Sequence, residues 1–176
     1  MGNSPRRKVR TLMKNRKPDV SRMTLPCAVT LLSAGMGEKR DAMTATAMFV
    51  SEDPPLVVVS VGKNTFSHDL IEKTGEFVLN VAATGQVKLS RILGATHGAN
   101  VDKFKKFKVD AEEAESVSAP LIKGSFSHIE CKVVTSFPVS HYVVYLAEVT
   151  ACKMDVKKVP LAWHAMKYFS LDKEVK

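Results

Sequence analysis

The stretch AMTATA at residues 42–47, followed by VSEDPPLVVVSVG at residues 50–62, decides the fold class of this chain. The pair Pro54-Pro55 has no backbone N–H to donate, so it must lie in a loop and not in a central strand. The next run, 56–61, is apolar on both faces and indicates a buried strand. Residues 41–50, before the prolines, are predicted to form another strand, so the stretch is typical of a β-protein with short connections.

Outward from this stretch, short strands alternate with turn residues and a few short helices. Further strands are predicted over residues 28–33, 76–81, 127–134, 142–154 and 167–171. Three helices are predicted: one capped by Asn64 or Thr65 and ending at Gly75, one capped by Thr84 and ending before Gly94, and a short one near residues 101–107. Because long βαβ alternation is missing, the pattern favours a mainly β fold with short inserted helices, closed into a barrel.

The composition is that of one globular domain of 176 residues with a proper core. No apolar run is long enough to cross a bilayer, so no membrane association is predicted. The three cysteines, Cys27, Cys131 and Cys152, are widely spaced and odd in number. This argues against a disulfide framework or a cysteine-based zinc site and suits a reducing, cytoplasmic location.

The charge is uneven along the chain, whose formal net charge is +8. Lys and Arg residues concentrate in residues 1–23, which we predict to be a basic N-terminal arm before a domain at residues 24–176. The arm is either a solvated tail or a segment that contacts a partner subunit or a polyanion. The rest of the chain is close to neutral, so the domain itself is not predicted to bind nucleic acid.

Six stretches, in order, resemble the blocks of one known family. They are residues 42–62, 64–81 (NTFSHDLIEKTGEFVLNV), 100–109 (NVDKFKKFKV), 119–134 (APLIKGSFSHIECKVV), 140–155 (SHYVVYLAEVTACKMD) and 160–171 (PLAWHAMKYFSL). Together they cover about residues 24–171. The chain is thereby identified as similar to the flavin-reductase-like, FMN-binding split-barrel proteins, including their flavoredoxin-like branch. The resemblance implies a split β-barrel of the Greek-key type, an FMN cofactor and a homodimer with the flavin at the subunit interface.

By this resemblance, the run of small residues holds the flavin ring. The candidates are Ala42, Met43, Thr44, Ala45, Thr46 and Ala47. Small side chains leave the backbone open to the pyrimidine edge of the ring, and hydroxyls can reach N5 or the ribityl chain. From the residues alone, a strand whose small face packs under a helix remains the alternative.

The phosphate of FMN is expected at the end of the buried strand and the start of the next helix. The candidates there are Ser60, Lys63, Asn64, Thr65 and Ser67. A helix N-terminus has free amides and a positive dipole end, although ordinary capping explains the same residues. Ser51 either contacts the phosphate or closes the loop before the prolines. Asn80 is another flavin-binding candidate, with satisfaction of loop backbone as its alternative.

His141 is the candidate catalytic residue, because it stands where the family often has Gly-Asp-His on the nicotinamide side of the flavin. Here Val139-Ser140 precedes it, so the Asp is missing, and a surface or interface histidine is the alternative. The histidines show no metal-ligand spacing, so no metal site is predicted. For Asp102-Lys103-Phe104, we favour a helix anchored by Phe104 over a loop near the flavin.

The resemblance implies an enzyme in which NADH or NADPH transfers a hydride to flavin N5. Electrons would then pass to free flavin, ferric iron, oxygen or a partner oxygenase, with FMN either a prosthetic group or a substrate. Two alternatives remain from the sequence. One is a flavoredoxin-type electron carrier without turnover, and the more remote one is a polyanion-binding module that uses the basic arm.

Overall fold

The computed structural model describes residues 25–98 and 101–175, so the predicted basic arm at 1–23 lies outside the described residues. In chain order the elements are β1 (Cys27–Ala28), β2 (Thr30–Met36), β3 (Lys39–Ala45), β4 (Ala47–Glu52), β5 (Pro55–Gly62), α1 (Phe66–Thr74), β6 (Glu76–Val81), a 3₁₀ turn (Thr84–Gln86), α2 (Val87–Ala95), α3 (Lys103–Phe107), β7 (Ala111–Glu112), β8 (Leu121–Ile122), β9 (Ser127–Val139), β10 (Tyr142–Met154), β11 (Leu161–His164) and β12 (Lys167–Ser170). Within these ranges, no helix is both long and apolar enough to traverse a bilayer.

Seven antiparallel strands form the main sheet in the order β3-β2-β6-β9-β10-β5-β4. The two edge strands, β3 and β4, are consecutive in the chain and are separated only by Thr46. The two ends of the sheet therefore meet at Thr46, and β3 also contacts β5 there. Within the described residues β3 and β4 do not pair with each other, so the barrel is split between these two edges. The predicted mainly β barrel is confirmed.

The single strand predicted over 41–50 is wrong, because the chain changes partners in its middle. Ala45 pairs with Thr30 on β2, whereas Ala47 pairs with Val59 on β5. Both halves have strand-forming residues, and a local pattern does not show that they pair with different neighbours.

The barrel interior is filled by side chains from alternate positions of its strands, among them Leu32, Val59, Phe77 and Tyr145. Helix α1 closes this core with Leu70 and Ile71, which are almost fully buried. As predicted, Thr65 caps α1 by accepting a hydrogen bond from the His68 N–H at 3.2 Å. The helix ends at Gly75 in the left-handed region, with a φ of 67°.

The predicted bounds of α2 are wrong at both ends. Thr84 does not cap α2 but begins the 3₁₀ turn, where the Gln86 Oε1 accepts a hydrogen bond from the Ala83 N–H at 3.1 Å. The helix continues through Gly94 to Ala95. A Cβ at Gly94 would lie 3.3 Å from the Thr44 Cβ, so the glycine allows α2 to approach β3 closely.

Two differences concern the C-terminal strands. Strand β9 extends to Val139, beyond the predicted end at residue 134, because it forms a long hairpin with β10 in which Val139 pairs with Tyr142. Strand β11 was not predicted. It lies between β1 and β12 in a separate three-stranded sheet that completes a second core around Leu31, Phe104 and Leu161.

Candidate functional site

The backbone at residues 42–47 lies at the split of the barrel. It runs from the end of β3, across Thr46, into the start of β4, and these are the two edge strands of the sheet. An edge strand presents N–H and C=O groups that no neighbouring strand uses. A flavin needs open backbone along its polar edge, and the edge position of residues 42–47 supplies such backbone for a physical reason that composition does not show.

A groove of about 370 Å³ lies beside this segment. Thr46, Ala47 and Ser60 line it, together with Met48, Val58, Val144, Cys27, Ala28 and the chain at 25–26. Its volume falls within the range of small-molecule sites, which are mostly apolar with a few placed polar groups. The edge backbone, the hydroxyls of Thr46 and Ser60 and the apolar walls therefore suit a planar aromatic ring with polar edges.

Cys27 adds to the apolar character of the groove. Burial raises the pKa of its thiol above the ordinary value, so the thiol stays protonated at neutral pH. Its Sγ contacts the Trp163 carbonyl at 3.9 Å, a weak hydrogen bond that holds β1 against β11.

A smaller cavity of about 80 Å³ lies beside Met43 and Thr44. Thr65, His97 and Lys103 also line it. The Thr44 hydroxyl donates to the Ser90 carbonyl of α2 at 2.6 Å, so its oxygen remains able to accept. Of the predicted ring contacts, Ala42 is fully buried, whereas Met43, Thr44 and Ala45 are half-buried at the edge.

Lys63 and His141 are brought together at the end of β5. The Lys63 N–H donates to the His141 carbonyl at 2.9 Å, and its Nζ donates to the Ser140 carbonyl at 2.8 Å. His141 is exposed in the two-residue turn between β9 and β10. Lys63 and His141 therefore lie together at one end of the sheet. Lys63 is about four residues beyond Val59, the residue of β5 that pairs with Ala47.

The start of α1 shows ordinary capping. Thr65 Oγ1 donates to the Gly62 carbonyl at 2.8 Å while it accepts from His68 N–H. Asn64 is exposed beside it. The predicted phosphate contacts Lys63, Asn64 and Thr65 therefore lie next to one another, at a helix N-terminus that can also hold an anion.

Three predicted residues are placed apart from this group, and their side chains bond within the chain. Ser67 is fully buried and donates to Asp41 Oδ2 at 2.7 Å. Ser51 lies toward the far end of β4, where its hydroxyl donates to the Asp53 carbonyl at 3.3 Å and closes the loop before the prolines. Asn80 is fully buried, so we leave all three out of the site proposed below.

Asn80 instead joins four segments of the core. Its Nδ2 donates to the Leu31 carbonyl and to Ser33 Oγ, at 2.8 and 2.9 Å. Its Oδ1 accepts from the Ile122 N–H at 2.8 Å and from His128 Nδ1 at 2.7 Å. The sequence alternative for Asn80 was a bond to loop backbone, whereas its backbone partners Leu31 and Ile122 lie in strands β2 and β8.

The structure also identifies a residue near the site that the sequence did not select. Lys103 is buried, and its ammonium donates to the Ala42 carbonyl at 2.6 Å. Phe104 is buried beside it, as predicted for an anchored helix. The sequence signal for Lys103 was only its place between a helix-capping Asp102 and a buried aromatic residue. Within the two described ranges, no group of three or more His, Cys, Asp or Glu residues could hold a metal ion.

Comparison with known proteins defines the class to which this fold and groove belong. Residues 21–172 match the family model described as the flavin reductase like domain, and the chain belongs to this family.

Two curated relatives and one solved structure show the extent of the similarity. The NADH-dependent FAD reductase of Streptomyces globisporus is 32% identical over 126 residues, which span 70% of this chain and 68% of the relative. The reductase component of the FADH(2)-dependent resorcinol hydroxylase of Rhizobium sp. is 25% identical over 146 residues, 81% of this chain and 79% of the relative. The solved NADH:FAD oxidoreductase of Streptomyces globisporus C-1027 has a TM-score of 0.80 at 26% identity, covering 97% of this chain and 96% of that chain.

Proposed function

We propose that this protein is an NADH-dependent flavin reductase that binds FMN or FAD in the groove beside Thr46 and Ala47. The observation that carries the proposal is that this groove lies at Thr46 and Ala47, where the two edge strands of the sheet are joined. Membership of the flavin reductase like family supports it, and so does the name of the Streptomyces relative, an NADH-dependent FAD reductase.

The chain's own residues bind and orient the ring. The edge backbone that ends at Thr46 and Ala47 in the groove offers donors and acceptors to the polar edge of the isoalloxazine, and Ser60 adds a hydroxyl to the groove lining. Val58 and Val144 supply the apolar wall that excludes water from one face of the ring. A bound flavin supplies the redox chemistry, because its N5 accepts a hydride from reduced nicotinamide.

Lys63 and His141 are proposed to bind the charged parts of the ligands. Lys63 directly precedes Asn64 and Thr65 at the start of α1, and its ammonium, which donates to the Ser140 carbonyl, supplies a positive charge that suits a phosphate group. His141 is exposed in the neighbouring turn and is free to contact the nicotinamide nucleotide. Alignment matters more than a general base for hydride transfer, so the missing Asp before His141 does not exclude turnover.

A homodimer is the second part of the proposal. Strands β4, β5, β9 and β10 carry an outer apolar face, defined as Met48, Val58, Phe137, Val139, Tyr142, Val144 and Leu146. Phe137 and Ser60 both pair with Val144 across the sheet, so these side chains point to one side. Met48, Phe137, Val139 and Tyr142 are each about half exposed or more, and exposed apolar patches of this kind mark association sites.

The outer apolar face is continuous with the groove, which shares Met48, Val58 and Val144 with it. A second copy of this chain seated on the face would therefore cover the open side of the groove. We propose that the flavin lies at this interface and that the reduced flavin serves an acceptor such as a partner oxygenase, free flavin or ferric iron. The name of the Rhizobium relative, a reductase component of a hydroxylase, favours the oxygenase.

A flavin titration with an NADH assay tests the proposal. The purified protein is titrated with FMN and with FAD while flavin fluorescence is followed, and NADH oxidation is then measured with each flavin. We expect saturable binding of at least one flavin and flavin-dependent NADH oxidation. Failure to bind either flavin, together with no NADH oxidation, would contradict the proposal. Flavin binding without NADH or NADPH oxidation would instead select the electron carrier, which the altered sequence before His141 favours.

A groove-filling variant locates the site. Ser60→Phe places a large side chain in the groove from an exposed position, and we expect it to weaken flavin binding by more than about tenfold. Ser170→Phe on β12 is the matched control, since Ser170 is also exposed and lies outside the groove lining. Equal flavin affinity in the two variants would place the flavin elsewhere.

A further inference from the structure

A buried ion pair lies directly behind the edge segment. Lys103 Nζ is 3.0 Å from Asp41 Oδ1, and the two side chains are only 2% and 1% exposed. The same ammonium donates to the Ala42 carbonyl at 2.6 Å, and Ser67 Oγ donates to Asp41 Oδ2 at 2.7 Å. Among the described residues, Asp41 Oδ1 receives no aligned hydrogen bond, and Lys103 is its ion-pair partner.

This cluster joins three elements at one point. Asp41 and Ala42 belong to β3, Ser67 belongs to α1 and Lys103 is the first residue of α3. Lys103 also lines the 80 Å³ cavity, whose other walls include Thr44 and Thr65. One side chain is therefore in contact with both the strand and the cavity at the split of the barrel.

The position of Lys103 is fixed by its short helix. Asp102 caps α3 by accepting a hydrogen bond from the Lys105 N–H at 3.0 Å. Phe104, the next residue along, is 2% exposed, and the Arg40 guanidinium lies 4.5 Å from the centre of its ring. With the backbone held on both sides, the Lys103 side chain has little freedom to move away from Ala42.

The Ala42 carbonyl needs such a partner because β3 is an edge strand. In the interior of a sheet, the N–H of a neighbouring strand would donate to such a carbonyl. At this edge the Lys103 ammonium is the donor instead. An apolar pair of similar volume can stabilise a core as well as a buried ion pair does. General stability therefore does not explain why two charges are buried here, while the need to hold one edge carbonyl does.

We propose that Lys103, held by Asp41, is a positioning residue for the flavin: it fixes the β3 backbone at Ala42 so that residues 43–47 present their free groups to the ring. The inference rests on the proposed function and extends it to a residue outside the groove. Lys103 does not itself touch the ring in this role. Its effect is transmitted through one carbonyl and the backbone that follows it.

The main test is the double variant Asp41→Asn with Lys103→Met, which removes both charges together and leaves no unpaired one. In the ligand-free protein we expect amide hydrogen exchange at residues 43–47 to become about tenfold faster or more, since the edge backbone loses its anchor. The dissociation constant for FMN or FAD should rise by at least about tenfold. The KM for NADH should change little, because the nicotinamide contacts proposed at His141 are untouched.

Ser67→Ala is a milder second variant that does not depend on the double variant folding. It removes only the hydroxyl that holds Asp41 Oδ2, and we expect a smaller change of the same sign in exchange and flavin affinity. Glu130→Gln is the control in another buried polar cluster. Glu130 lies three strands from Ala42 in the same sheet, along the register Ala42–Ser33–Val78–Glu130. It should leave both readouts at residues 43–47 unchanged.

The outcomes separate the two proposals. Suppose that the wild-type protein binds flavin and that the double and Ser67→Ala variants match it in flavin affinity and in amide exchange at 43–47. This result would overturn the positioning role of Lys103 but not the proposed function. Equal effects in Glu130→Gln would also overturn it, because they would show general loosening of the sheet. Wild-type protein that binds no flavin would overturn the proposed function and, with it, the flavin-positioning role.

Discussion

At the scale of single residues, buried polar groups are matched closely to partners from distant segments. His128 is an example: its Nδ1 donates to Asn80 Oδ1 at 2.7 Å, because that oxygen can only accept. Burial lowers the pKa of the His128 imidazole below its ordinary value, and the nearby Lys153 ammonium lowers the pKa further. His128 is therefore held neutral in the folded chain at neutral pH.

His128 should make stability depend on pH. The unfolded imidazole takes up a proton near its ordinary pKa of about 6.5, whereas the folded one does so only at a lower pH. The unfolded state therefore binds more protons in this window, and stability should fall as the pH is lowered from 7.5 through 6.5. Urea unfolding at pH 7.5 and 5.5 measures this, with His128→Gln as the comparison. A variant with the same pH dependence as the wild type would assign the effect to other groups.

The cysteines should differ sharply in reactivity. Burial, followed by the Glu130 charge, raises the pKa of the Cys131 thiol to about 12, whereas Cys152 is exposed. Since the thiolate is the reactive form, iodoacetamide at pH 8 should label Cys152 in the native protein and Cys131 only after unfolding. Mass spectrometry of digested samples resolves the two sites. Native labelling of Cys131 at the rate of Cys152 would contradict the burial of β9 at this point.

At the scale of elements, close backbone approaches decide how strands and loops pack. Gly35 on β2 is covered by the chain that leads into β8: its carbonyl accepts a hydrogen bond from Ser118 Oγ at 2.9 Å. A Cβ at Gly35 would lie 2.8 Å from the Ser118 carbonyl oxygen, a backbone atom that cannot turn aside. The glycine thus sets the distance between this loop and the barrel.

Gly35→Ala should destabilise the fold through that contact. We expect a loss of about 1–3 kcal/mol in the free energy of unfolding, as for other overpacked sites. Gly85→Ala is the matched control, because a Cβ at Gly85 in the 3₁₀ turn would have no atom within 4 Å. Urea unfolding of both variants measures the difference. Equal free energies of unfolding for Gly35→Ala and Gly85→Ala would refute the expectation.

At the scale of the whole molecule, the split of the barrel and the outer apolar face are two parts of one arrangement. The face covers β4, β5, β9 and β10, and the groove opens onto it beside Ala47. A lone barrel would leave both the apolar side chains and the groove open to water. The proposed association of two copies would remove both exposures at once, so flavin binding and dimer formation should be linked.

Phe137→Glu tests this link. Phe137 is 50% exposed on β9 within the outer apolar face, so a charge there should dissociate the proposed dimer and weaken flavin binding together. Val156→Glu is the control, since Val156 is 77% exposed after the end of β10 and outside the face. Sedimentation equilibrium with and without flavin measures both effects. If the wild-type and Phe137→Glu proteins are both dimeric, the interface lies on another surface.

Much of the fold could be predicted because its signals are local. The Thr65 cap of α1 and its Gly75 end act within a few residues, and both are found as predicted. Pro54 lies in the predicted turn, but the loop prediction is wrong for Pro55, which is the first residue of β5 and pairs with Glu52. The first position of a strand tolerates a residue without a backbone N–H. Of the site, the sequence indicated the run 42–47 and the end of β5. The sequence did not exclude Ser67 and Asn80 from the flavin-binding candidates, because their burial depends on segments far away in the chain.

By itself, the amino-acid sequence indicated most of the strands and helices, the mainly β fold class and the run of small residues at 42–47. Only the tertiary structure decided that the chain changes partners at Thr46 and that Lys103 is buried against Ala42. The physical reason is that propensity and periodicity are properties of neighbours in the chain. Edge position, groove walls and buried charge pairs arise only when residues as far apart as Ala42 and Lys103 meet in space.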